Sequence, residues 1–197
     1  MRVSKEQTAQ NRRRILSAAA RLFRENGIAS SGIDTIARRA GLTHGAFYSQ
    51  FDSKERVTAE AIRLGLERSR KWLEATARGK KKRRAFADVV DAYLAPAHRD
   101  SPGNGCVIAA LGADVARQPK SIRDAFTRGL KDSLALLADL DGEGDTRNRE
   151  ANAIVALSSM AGALILARAV AEETFSRRIL GTVAKRLKSG PKRRVEA

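Results

Sequence analysis

Residues 31–51 read SGIDTIARRAGLTHGAFYSQF, and the punctuation of this stretch decides the fold. Ser31 is a candidate N-cap with an acid, Asp34, three residues on, and the helix it opens carries Ile36, Ala37 and Ala40 before stopping at Gly41. Leu42 bridges to Thr43, a good N-cap, and residues 44–51 form another short helix with Phe47 and Phe51 spaced i, i+4 on its inner side. Two short helices joined by a tight glycine-containing turn make a helix-turn-helix.

The reading extends outward in both directions. Upstream, over residues 8–25, Ile15, Ala19, Leu22 and Phe23 fall at i, i+4, i+7 and i+8, and Gly27 is placed as a left-handed terminator. Downstream, Asp52 with Glu55 looks like a capping box for a long helix towards Ala77, striped by Val57, Ala61, Leu64 and Arg68. Gly79 and the basic run at 80–84 read as a linker or a frayed helix junction. Further helices are expected over residues 86–97, 106–117, 121–140, 148–172 and 174–188, with polar loops at 100–105 and 141–145 between them. The expectation is an all-α chain of about nine helices. Its domains are residues 1–55, the helix-turn-helix, then residues 56–188, a larger helical body, and a basic disordered tail at 189–197.

Composition agrees with this class. The 197 residues are 43 % hydrophobic and 30 % charged but only 5 % aromatic, with alanine and leucine recurring and β-branched runs scarce, which suits packed helices. Residues 151–167 are the longest apolar candidate, broken by Asn152, Ser158 and Ser159, and no membrane span or export signal is expected. The one cysteine, Cys106, permits no intrachain disulfide and points to a cytoplasmic setting. Net charge is +16 and unevenly spread: +5 over residues 1–55, +8 over 56–84, −3 over 85–150 and +6 over 151–197. Such an asymmetry fits a protein whose N-terminal half meets a polyanion.

A helix-turn-helix is read through its second helix, whose first residues meet base edges in the major groove. Thr43 caps that helix, Gly45 and Ala46 are small enough for close backbone approach, and His44 and Tyr48 supply hydrogen-bonding reach. Ser31 and Lys54, at the starts of the flanking helices, are placed for phosphates. Taken singly, Ser31 and Thr43 are equally plain caps and His44 a solvated surface residue.

The segment RILSAAARLFRENGIASSGIDTIARRAGLTHGAFYSQFDSKERV closely resembles the N-terminal DNA-binding domain of the TetR family of bacterial transcriptional regulators, over roughly residues 10–56. The resemblance implies a homodimeric all-helical repressor with a three-helix N-terminal domain and a larger ligand-binding and dimerisation domain. It also implies that Thr43, His44, Gly45, Ala46, Tyr48 and Lys54 face double-stranded DNA, a palindromic operator, and that a small-molecule effector releases the protein. Gly32 stands where many members carry a hydroxyl or other side chain, which removes one phosphate contact. A regulator or activator that needs no ligand would keep the same DNA-binding end.

Other motifs fail. His98-Arg99-Asp100 begins like a kinase catalytic loop, but position 105 is glycine where asparagine is needed. Gly103 and Gly105 lack a third glycine and a preceding strand, and His44 and His98 make no metal cage. No catalytic constellation, cofactor or metal is expected. The helix over 148–172 is apolar nearly all round. Ile154, Leu157, Ala161 and Leu164 lie on one side and Val155, Ser159, Gly162, Leu166 and Val170 on another, so the last two helices are expected to build a homodimer. An apolar or aromatic effector would be lined by Trp72, Phe86, Tyr93, Cys106, Phe126 and Met160, each of which reads equally as core. Cys106, expected in the first turn of its helix, is either a thiol sensor of oxidants and electrophiles or a small buried hydrophobe.

Overall fold

The computed structural model describes residues 4–141 and 146–189. Among the described residues there are ten α-helices and no strand. They are α1 (Lys5–Asn26), α2 (Ile33–Arg39), α3 (His44–Tyr48), α4 (Lys54–Ala77), α5 (Lys82–Tyr93), α6 (Pro96–Arg99), α7 (Val107–Val115), α8 (Lys120–Asp141), α9 (Thr146–Ala169) and α10 (Glu173–Lys188). The all-α expectation holds. The additional helix is α6, opened by Pro96 at its first turn, so His98 and Arg99 are helical rather than part of a loop. The basic run 80–84 is not a plain linker either. Helix α5 begins at Lys82, and Asp88 gathers Lys80 and Arg84 at 2.7 and 3.0 Å. The expected basic tail lies outside the described residues apart from Ser189, and the expected loop at 141–145 lies outside them apart from the end of α8.

The chain divides into two compact units, Met1–Ser69 with Pro102–Lys131 and Arg70–Ser101 with Asp132–Ala197. In the first, Ile15, Ala19, Leu22 and Phe23 turn the inner face of α1 onto Ile36 and Ala37 of α2, Phe47 of α3, and Val57, Ala61, Ile62 and Leu66 of α4. Val107, Leu111 and Val115 of α7 join the same core. Burial of this apolar surface is the main stabilising term, at roughly 25 cal/mol per Å².

Local chemistry sets the turns. Gly27 ends α1, donating its N–H to the Phe23 carbonyl at 2.8 Å, with φ +82° and ψ 163°. The positive φ was expected, but the ψ is extended, a region open essentially to glycine alone. The chain leaves α1 straight instead of curling back. The next amide, Ile28 N–H, donates to the Asp114 carboxylate of α7 at 3.0 Å, and a Cβ at position 27 would meet that carboxylate at 2.9 Å.

In the second unit α9 packs along α10 and buries Ala153, Ala156, Leu157, Met160, Ala161, Ala163, Leu164 and Ala167. By length and composition α9 could cross a membrane, and here that apolar content supplies a core face. Arg99 is buried and pairs with Asp100 and Glu173 at 2.6 and 2.8 Å, which hold its guanidinium far above its ordinary range and both carboxyls below theirs. Arg168 donates to the carbonyls of His98 and Arg99 at 3.0 and 2.9 Å, so α6 is tied to both α9 and α10.

Candidate nucleic-acid interface

Helix α3 is short, and its orientation is fixed from beneath and from both ends. Phe47 and the following Phe51 are fully buried, with ring centroids 5.8 Å apart. The turn before it uses Gly41 at φ +65°, with Gly41 N–H donating to Arg38 and Leu42 N–H to the Ala37 carbonyl. Thr43 caps the helix as expected, its hydroxyl accepting the Ala46 N–H at 3.2 Å. Arg12 of α1, which sequence reasoning passed over, donates to the Gln50 carbonyl and to Glu60 at 2.6 Å each and lies 4.1 Å over the Phe51 ring. Its place is set by tertiary packing, and no local sequence signal marks it.

The opposite face of α3 is open. Thr43, His44, Gly45, Tyr48 and Ser49 are exposed, and Ala46 is half-buried. A Cβ at Gly45 would meet nothing within 4 Å, so the protein's own packing does not call for glycine there. The His44 imidazole Nδ1 contacts the carboxylate of Asp34, from the first turn of α2, and its ring stands 5.0 Å from that of Tyr48.

The two flanking residues behave differently from expectation. Ser31 is buried, and its hydroxyl donates inward to the Gly27 carbonyl at 2.9 Å. It therefore neither caps α2 nor presents a hydroxyl to a phosphate. Gly32 occupies the cap without a side-chain bond, and Asp34, expected in a capping box, turns to His44 instead. Lys54 is half-buried, with its ammonium donating to the Ala29 carbonyl at 3.3 Å, and partial loss of hydration lowers its pKa. Ser53, not Asp52, caps α4 by accepting the Arg56 N–H at 3.2 Å, while Asp52 pairs with Arg56 and Glu55 accepts from the Ser121 hydroxyl.

With this geometry in place, a model of the bacterial regulatory proteins of the tetR family matches residues 15–61, from the core of α1 into α4. Over this N-terminal segment the chain is similar to the TetR family. It is 37 % identical over 63 residues to the HTH-type transcriptional regulator AcrR of Shigella flexneri, and 37 % identical over 71 residues to the HTH-type regulator YdgC of Bacillus subtilis. The matches cover 32 % and 36 % of this chain, and the chain spans only 29 % and 36 % of those relatives. Fold similarity reaches further. The reduced form of Escherichia coli NemR superposes with TM-score 0.78 at 20 % identity over 91 % of this chain and 95 % of that one. A TetR-type regulator from Chloroflexus aurantiacus gives 0.78 at 21 % identity over 93 % and 95 %. At such identities these structures carry the fold alone.

Beyond the matched segment, the six residues expected to line one pocket are divided between the two compact units. Cys106 and Phe126 belong to the first unit and Trp72, Phe86, Tyr93 and Met160 to the second. Tyr93 and Met160 are core, Phe86 and Phe126 are half-buried, and Trp72 is exposed. A cavity of about 180 Å³ does occur in the first unit, lined by Ile28, Ala29, Lys54, Glu55, Thr58, Gln118, Pro119 and Ile122, none of them among the six. Cys106 is the N-cap of α7 rather than part of its first turn, and it is buried, as a small core hydrophobe would be. In the second unit His98 stands between two of the predicted aromatics, with ring centroids 4.8 Å from Tyr93 and 5.9 Å from Trp72, and burial lowers its pKa. Among the described residues no group of three or more His, Cys, Asp or Glu side chains is placed to hold a metal.

Proposed function

We propose that the protein is a homodimeric transcriptional repressor that reads a palindromic operator through α3 and leaves it when a small apolar or aromatic effector binds. The carrying observation is a recognition-type helix anchored by Phe47 and Phe51 and presenting Thr43, His44, Gly45 and Tyr48 outward. Residues 1–55 act as the DNA-binding domain and residues 56–188 as the effector-binding and dimerisation body, working in the cytoplasm with no catalytic group. The positive charge of residues 1–84 favours the phosphate backbone. Two copies of α3 in the dimer lie about one helical turn of DNA apart, or a multiple of it.

Binding to genomic fragments, selected at physiological salt and compared with random DNA, tests this reading. Strong preference for a palindromic fragment is expected, and equal binding of both would end it. Lys54→Ala should then weaken every sequence alike and reduce the steepness of the salt dependence, because a phosphate contact carries no base information. For that contact the ammonium exchanges the Ala29 carbonyl for a phosphate oxygen.

Gly45 separates folding from binding. Gly45→Ala adds a good helix former in open space and should leave stability unchanged or raise it by about 0.5–1 kcal/mol. Operator affinity should nonetheless fall, since the added methyl stands where backbone meets base edges. Thermal melts and gel shifts on the same preparation check both halves.

The effector reading is supported by the Trp72, His98 and Tyr93 rings of the second unit, one of them exposed. Trp72 is the single tryptophan of the chain, so its fluorescence reports on that site alone. Across a set of aromatic and aliphatic metabolites, compounds that lower operator affinity should also change Trp72 emission saturably. Release of DNA with unchanged emission would move the effector elsewhere.

A further inference from the structure

On the reading that α3 enters the major groove, we infer that Asp34 of α2 is a positioning residue for base readout by His44, fixing which ring nitrogen faces the DNA. The two residues are ten apart in sequence and meet only because the Gly41 turn folds α2 against α3. Their side chains are 79 % and 58 % exposed, so burial does not force the contact. Asp34 is the acid of the first turn of α2 and is free to stand in solvent, yet it spans to the first residue of the next helix. The Tyr48 ring, tilted 53° to the imidazole at 5.0 Å, bounds the ring within α3.

The chemistry follows from which atoms can donate. An ionised carboxylate only accepts hydrogen bonds, so the imidazole nitrogen that meets it, Nδ1, carries the proton. In the neutral ring Nε2 is then left as an acceptor. In the major groove the groups that donate to an acceptor are the exocyclic amines of adenine and cytosine, whereas guanine and thymine offer acceptors at the corresponding edge. The pair therefore prefers A or C at the base that His44 meets. Without Asp34 the ring exchanges tautomers, and Nε2–H can equally address guanine or thymine. The carboxylate also gains a partner in a place where, alone, it would repel phosphates.

Three single variants and one double variant decide the matter: Asp34→Ala, which removes acceptor and charge, Asp34→Asn, which keeps an acceptor but removes the charge, His44→Ala, and Asp34→Ala combined with His44→Ala. Each is used to select from a library randomised across the operator half-site, with thermal melts confirming folding. The wild type should prefer A or C at one base pair per half-site, and His44→Ala should lose that preference by roughly 5- to 150-fold. Asp34→Ala should relax preference at the same base pair, Asp34→Asn should retain it, and the double variant Asp34→Ala with His44→Ala should discriminate no worse than His44→Ala alone. Were Asp34 merely a charge near DNA or at the start of α2, both Asp34 variants would change all sequences uniformly and leave base preference intact. That result overturns the inference, as does an Asp34→Ala profile identical to wild type. A wild type that fails to discriminate any sequence overturns the DNA reading itself, an outcome the same selection shows separately.

Discussion

Phe47→Ala is expected to remove about 3–5 kcal/mol of stability from the first compact unit, because a fully buried phenyl ring is lost and a cavity is left under α3. Total domain stability is commonly about 5–15 kcal/mol, so this one change consumes a large share of it. The ring packs at 5.8 Å from Phe51 and edge-on to Tyr48 at 5.5 Å, and α3 has only five residues with which to hold itself together. A helix that short has no independent stability in water and owes its shape to this anchor. Urea unfolding followed by circular dichroism should show a lowered midpoint, with operator binding lost before global unfolding. A midpoint unchanged within error would mean that the phenyl ring is not the anchor.

A charge on the outer face of α9 should be comparably severe for assembly. Val155 is 61 % and Leu166 57 % exposed, and Ile154, Ile165 and Phe175 stand open as well. Scattered exposed apolar residues need no explanation, but a stripe along one helix marks a surface that associates. A Cβ at Gly162, between Val155 and Leu166, would meet nothing within 4 Å, which leaves room for a partner backbone to approach. On the proposed dimer, Leu166→Asp buries an unpaired carboxylate at each copy, at a cost of several kcal/mol. The expected result is a monomer at micromolar concentration by analytical ultracentrifugation, still helical, with operator affinity reduced more than a hundredfold. A dimer of wild-type strength would place the interface elsewhere. Ile154 was grouped with Leu157, Ala161 and Leu164 on one side of α9, but those three are buried and Ile154 is exposed beside Val155, so the outward stripe is broader than the sequence implied.

What the sequence determined by itself is local. Period 3.6 in the apolar residues, the Thr43 cap and the glycines at 27 and 41 sufficed for an all-helical chain with a helix-turn-helix at residues 31–51, because caps, turns and amphipathic stripes act over a few residues. The exposed face of α3 could be read in the same way, since Phe47 and Phe51 declare the buried face and leave the remainder outside. Tertiary structure decided the destinations of polar side chains whose partners lie far along the chain. Ser31 and Asp34 had the spacing of a capping box, but the Gly27 carbonyl accepts the Ser31 hydroxyl and the His44 imidazole of the next helix meets the Asp34 carboxylate instead. Arg12 and Glu55 likewise meet partners on other helices, and Asp114 accepts from Ile28 in the turn after α1. The pocket residues fall in both units, and the signal that chose them, hydrophobicity, specifies burial but not neighbours. Tyr93 and Met160 in one unit and Cys106 in the other are all buried, and only the packing of helices says which of them share a wall.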